Sequence, residues 1–74
     1  MINVRDEKYL KEFGKRFYQI RIRKGITQEI LAENSGIGKN QVGLIERGQV
    51  NVTICTLNRL AKNLGIQPKD LLDL

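Results

Sequence analysis

Leu10, Phe13, Phe17 and Ile20 recur at i, i+3, i+7 and i+10, the spacing that gathers apolar side chains on one face of an α-helix. Asn3 or Asp6 can cap its start, because a short side-chain oxygen there accepts from the free N–H groups of the first turn. Glu7 with Lys11 and Glu12 with Arg16 form i,i+4 pairs in the favourable orientation. The pattern predicts an end near Lys24, with Gly25 left-handed just beyond it. Thr27 then caps a second helix over roughly 28–35, and Gly38 is a tolerable cap for a third over roughly 39–47, ended by Gly48. Thr53 caps a fourth helix carrying Ile54, Leu57, Leu60, Ala61 and Leu64 on one side, closed by Gly65. Gln67-Pro68 opens a short fifth helix with proline at its favoured first position, and Leu71 and Leu72 supply the apolar side. No segment sustains period-two alternation. The expected fold class is all-α, a compact bundle of five short helices without a sheet.

The densest local information lies in residues 27–48, TQEILAENSGIGKNQVGLIERG. Ala32 lets a second backbone approach. Gly36 stands where the chain must reverse, and there a positive φ costs glycine nothing. Leu31, Ile37, Val42 and Ile45 fall where two crossing helices would share a core.

Composition narrows function more than fold. Seventy-four residues suffice for one small domain spanning 1–74 and not for two. A domain of this size buries only about 60% of its unfolded surface, so its stability is limited and pairing helps it. The net charge of +5 and pI of about 9.7 favour an anionic partner. The lone Cys55 forms no internal disulfide, no Cys/His cluster is present to hold zinc, and histidine, the commonest general base, is absent. No apolar run nears the roughly 20 residues that span a bilayer, and MINVRDEKYL lacks the apolar stretch of a signal peptide. These features lead us to expect a cytoplasmic, non-enzymatic protein with no cofactor and no metal.

Two flanking stretches complete a pattern. Gly14 to Gln28 reads GKRFYQIRIRKGITQ, and IERGQVNVTICTLNRLAKNLGI follows the central stretch. Q-E-x-L-A, I-E-x-G and T-L-x-x-L-A occur together and in order. Over about residues 12–74 the chain resembles the helix-turn-helix proteins of the phage repressor and Cro type, the Xre-like family, and within it the short controller proteins of restriction–modification systems. The sequence departs from that pattern at Gly38 and Gly43, where many members carry a hydroxyl, and at Val52, where many carry proline. Gly43 inside a helix costs about 0.5–1 kcal/mol relative to Ala; it either permits a close approach to DNA or to a neighbouring helix, or is a tolerated weak spot.

The resemblance implies a sequence-specific regulator of transcription that binds double-stranded DNA with its third helix in the major groove. It places Lys39, Asn40 and Gln41 at base-reading positions, and lysine suits guanine O6/N7 while Asn and Gln suit adenine N6/N7. Leu44 falls on the groove side in this register, to meet a thymine methyl or to serve as ordinary core. Thr27 and Gln28, at a helix start whose N–H groups suit phosphate, and Arg47, Gln49 and Asn51 in the following loop are implied backbone contacts. Arg21 and Glu46 are implied as a partly buried bridge between the first and third helices. Arg59, Lys62, Cys55, Glu29 and Glu33 read as solvated or inert; Glu29 and Glu33 would otherwise face another protein.

A homodimer is expected, since specificity without an effector domain needs two half-sites about 34–36 Å apart. Val50, Val52, Leu71, Leu72 and Leu74 are its expected interface. Occupancy of the operator would block or assist RNA polymerase. The rival reading is a protein-interaction module on the same fold, an antitoxin-like partner or a bridging coactivator. The polar turn 39–41 favours DNA over that rival.

Overall fold

Side-chain caps set where three of the helices begin. In the computed structural model, which describes residues 5–74, the Asp6 carboxylate accepts from the Tyr9 N–H at 3.0 Å and opens α1 (Glu7–Arg23). Asn3, the alternative cap, lies outside the described residues. The Thr27 hydroxyl accepts from the Ile30 N–H at 3.1 Å and opens α2 (Gln28–Ser35). Gly38 precedes α3 (Lys39–Glu46) without a side-chain bond, and Arg47 forms its end. Thr53 accepts from the Thr56 N–H at 3.2 Å and opens α4 (Ile54–Leu64). Pro68 begins α5 (Pro68–Leu71), where Asp70 accepts from the Gln67 N–H at 3.0 Å. No strand forms among the described residues.

The chain reverses between α2 and α3 at Gly36, whose φ of 70° lets the Ile37 N–H reach back to the Ala32 carbonyl at 3.0 Å. That bond satisfies a carbonyl at the end of α2 and brings α3 back across it. A second glycine constraint fixes α3 against α1. A Cβ on Gly14 would stand 2.5 Å from the carbonyl oxygens of Ile45 and Glu46, so only hydrogen fits where the two backbones meet. Gly48 combines a φ of 72° with a Cβ position 2.8 Å from the Lys11 backbone. The end of α3 and the loop after it are therefore pressed onto α1, and this sets the angle at which α3 leaves the core.

The core is one cluster. Phe13, Phe17 and Ile20 of α1 meet Leu31 and Ala32 of α2, Val42 and Ile45 of α3, Leu60, Ala61 and Leu64 of α4, and Leu71 of α5. The Phe13 and Phe17 rings stack with centroids 6.2 Å apart, within the range of favourable aromatic pairs. Ile37 and Leu57 are half-buried against this cluster. Two expectations change here. Ile54, assigned to the apolar side of α4, is 83% exposed: it opens that helix and stays outside the core cluster. Leu71, assigned to a dimer interface, is fully buried: α5 folds back onto α1 and α4 and spends this side chain on the chain's own core.

Candidate nucleic-acid interface

Beneath the outer face of α2 and α3 lies a polar layer. Arg21 projects from α1 and Glu46 from the end of α3, and their side chains are only 8% and 7% exposed. Arg21 Nε donates to Glu46 Oε2, its Nη2 donates to Oε1 at 3.3 Å, and its Nη1 donates to the Ile26 carbonyl at 2.9 Å. Arg21 also lies 5.4 Å from the Tyr18 ring centroid, within cation–π reach. Gln28 joins the layer from the start of α2 by donating its side-chain amide to Glu46 Oε1 at 2.7 Å. One carboxylate thus ties three helices together, and a buried charge pair this well bonded is costly to break on one side.

Above that layer, Gln28, Lys39, Asn40, Gly43, Leu44 and Arg47 line a shallow groove between α2 and α3. Lys39 and Asn40 occupy the first turn of α3, exposed, and Leu44 is half-buried on the groove side one turn later. Leu44 lies outside the core cluster. A Cβ on Gly43 would meet the Arg47 Nη1 at 3.1 Å, so the missing side chain leaves room for the guanidinium to lie along the helix. Lys39 Nζ stands 3.5 Å from Glu29 Oε2. Backbone N–H at the start of α2, and then the Lys39 ammonium, hold the Glu29 carboxyl below the usual glutamate range.

Gln41 is not part of this groove. It lines a crevice on the other side of α3 with Asn51, Thr53 and Thr56, over an apolar floor that includes Ile45 and Val52. The loop between α3 and α4 carries Gln49 and Asn51, both exposed. The Gln49 N–H donates to the Leu44 carbonyl at 2.9 Å, and its own carbonyl accepts from Arg5 Nη2 at 3.1 Å.

Residues 16–74 match the Cro/C1-type HTH DNA-binding domain. The chain belongs to that family. It is 42% identical over 62 residues to the control protein C.BamHI of Bacillus amyloliquefaciens, covering 82% of this chain and 76% of that protein. Its fold matches the crystal structure of the restriction-modification controller protein C.AhdI from Aeromonas hydrophila with a TM-score of 0.82 at 44% identity, over 84% of this chain and 94% of that one. The clp gene regulator ClgR from Corynebacterium glutamicum matches with a TM-score of 0.82 at 28% identity, over 86% and 83% of the two chains. The chain is accordingly a DNA-binding helix-turn-helix regulator by family, and its resemblance to controller proteins extends across most of its length.

Within this Cro/C1-type domain the structure gathers Gln28, Lys39, Asn40, Leu44 and Arg47 on one surface and sets Gln41 apart. The five residues assigned to a dimer interface do not form one patch. Val50 and Val52 are half-buried against the core, Leu71 lies inside it, and Leu74 borders Glu12 and Arg16. Leu72 instead joins Tyr9, Val52, Ile54 and Leu57 around an apolar groove. Several contacts were not read from the sequence. Arg59 and Asn63 of α4 donate to the Ser35 carbonyl and hydroxyl at 3.4 and 3.3 Å, tying α4 to the end of α2. Glu29 and Lys39 lie ten positions apart across a turn, a separation for which helical i,i+4 spacing gives no signal. Cys55 is exposed and forms no disulfide. Among the described residues no helix is long and apolar enough to cross a membrane.

Proposed function

We propose that this protein, with residues 1–74 as one domain, is a sequence-specific transcriptional regulator that binds duplex DNA as a homodimer. One observation carries the reading: Lys39, Asn40, Leu44 and Arg47 share an exposed groove with Gln28 above an internally neutralised Arg21–Glu46 layer. The layer fixes α3 from below, and the exposed side offers a lysine, an amide and an apolar side chain to a groove edge. These suit guanine O6/N7, adenine N6/N7 and a thymine methyl respectively. In this arrangement α3 enters the major groove. Thr27, Gln28, Arg47, Gln49 and Asn51 contact the backbone on either side, positioning the helix without reading sequence. Gln41, on the far edge of α3, takes a smaller part in reading than Asn40.

Two copies pair through the apolar groove around Ile54, Leu57 and Leu72, and recognition of two half-sites requires their α3 helices to lie about 34–36 Å apart on successive major grooves. The mechanism is occupancy in the cytoplasm, acting on RNA polymerase at an overlapping or adjacent site, with no catalytic step and no cofactor. The same apolar groove is the feature that favours a protein-interaction module instead.

Selection from a pool of random duplexes, followed by titration of the winner at several salt concentrations, tests the reading. The expected result is a two-fold symmetric consensus with affinity falling linearly in log salt. Recovery of no consensus, with no salt-dependent duplex binding, would move the protein-interaction reading to first place.

A further inference from the structure

The groove between α2 and α3 is lined by two cations, Lys39 and Arg47, and the first of them is paired with an acid outside that lining. Glu46 lies below, its oxygens occupied by Arg21 and Gln28. Glu29 differs. Its side chain is 64% exposed, it sits in the first turn of α2, and it stands 3.5 Å from Lys39 Nζ in the first turn of α3. The pair therefore stands at the edge of the surface assigned to DNA. A carboxylate at that position opposes phosphate, so its presence calls for a reason.

We propose that Glu29 is a positioning residue that sets specificity: it holds the Lys39 ammonium at the groove mouth and away from phosphate, releasing it only to a matching base edge. The inference rests on the assignment of α3 as the reading helix. Sequence-independent affinity comes from lysines and arginines that neutralise phosphates and release counterions. A lysine already paired with a carboxylate contributes little to that term, and the carboxylate itself repels a phosphate drawn to the lysine. A guanine edge is different, because O6 and N7 are neutral acceptors and Glu29 does not oppose their approach. The strength of the pair decides whether this works. An exposed ion pair shifts an equilibrium by only about two- to fivefold. That is weak enough for a bidentate base contact to displace and strong enough to reduce unselective binding. Glu29, like any exposed carboxyl, is charged at neutral pH, so the effect is present wherever duplex binding is measured.

Four proteins test this: the wild type, Glu29→Gln, Lys39→Met and the double variant. The probes are the tightest duplex selected from a random pool and a scrambled duplex of equal length and composition. Glu29→Gln should tighten scrambled binding about two- to fivefold, steepen its salt slope by up to about one, and lower the ratio of selected to scrambled affinity. In the Lys39→Met background the same substitution should change scrambled affinity and slope less than it does in the wild type; an equal change would show charge repulsion alone and overturn the inference. Suppose Lys39→Met weakens the selected duplex while Glu29→Gln leaves scrambled affinity and slope as in wild type, or weakens scrambled binding. The inference then falls and the reading helix stands. If Lys39→Met leaves selected binding and base preference intact, the assignment of Lys39 as a reader falls and takes the inference with it.

Discussion

Gln28 donates its side-chain amide to Glu46 Oε1 at 2.7 Å, so the residue that opens the first motif helix is held by the residue that closes the second. Arg21 completes the arrangement from α1 through the same carboxylate. The surface that carries Lys39 and Asn40 is thus fixed by a charge pair lying below it.

Removing one partner of that pair should be severe. Arg21→Ala leaves Glu46 buried without its cation, and Glu46→Ala leaves Arg21 and Gln28 without their acceptor. Each should lose about 3–5 kcal/mol. A chain of this length has only about 4–11 kcal/mol to lose, so either variant should be near its midpoint of unfolding at moderate temperature. The double variant should lose less than the two single losses combined, because the second substitution removes an already unpaired charge. Urea melts of the three proteins measure this. Single losses below about 0.5 kcal/mol, the range of ordinary surface changes, would show that the pair contributes nothing.

Much of this was legible in the sequence because glycines and threonines carry local instructions. Thr27 and Thr53 announce helix starts and Gly36 a reversal, and each acts within a few residues of itself. The apolar face of α1, Leu10 through Ile20, was readable for the same reason. Ile54 was misplaced because periodicity shows which side of α4 is apolar but not how far along it the neighbours reach. Leu71 was misplaced because apolar character does not tell core from interface; only the return of α5 onto α1 and α4 decides it. Gln41 sits next to Asn40 in sequence, yet adjacent helical residues point about 100° apart, and here that separates two surfaces. The Glu29–Lys39 pair and the Arg5 bond to Gln49 join residues distant in sequence, where no local spacing rule applies.

The buried and exposed apolar residues near α5 should separate cleanly. Leu71→Ala removes a fully buried side chain and should destabilise the fold by about 2–5 kcal/mol. Ile54→Glu changes a side chain that meets solvent and should leave the melting temperature within a few degrees. It should instead shift the sedimentation mass from two subunits to one at tens of micromolar. An unchanged dimer in Ile54→Glu and in Leu72→Glu would place the interface elsewhere.

Glu29 should titrate below the usual glutamate range. Its stabilising effect is therefore present above the ordinary carboxylate range and is lost as pH falls through the depressed midpoint. The exposure of its side chain keeps the effect small. Side-chain carboxyl NMR across acid pH gives the midpoint directly. Lys39→Met should raise it only part of the way to the usual value, because the N–H groups at the start of α2 contribute the larger share. A midpoint equal to that of free glutamate in the wild type would remove the ion pair from consideration.

Gly43→Ala should stabilise the protein. Alanine gains about 0.5–1 kcal/mol over glycine inside a helix. The only neighbour its Cβ would approach closely is the flexible end of Arg47, at 3.1 Å, which can move aside. For a domain of this size the gain amounts to about 2–8 °C in melting temperature. A fall in melting temperature would mean that Arg47 is held in place and that the glycine is required.

The reading and positioning residues should part company in a titration against the selected duplex and its single-base variants. Asn40→Ala should cost about 1–3 kcal/mol and relax the preference at one base pair. Lys39→Ala should do the same at a neighbouring pair. Arg47→Ala should weaken every sequence alike and reduce the salt slope by about one. Gln28 and Asn51, being uncharged, should weaken every sequence with little change of slope. Gln41 provides the structural discriminator, because it faces the crevice with Asn51 and Thr53 rather than the groove with Gln28 and Arg47. Its alanine variant should disturb base preference less than that of Asn40. If Gln41→Ala relaxed a base pair while Asn40→Ala and Lys39→Ala left preference untouched, α3 would have to meet DNA through its opposite edge, and the groove beside α2 would lose its assignment as the reading surface.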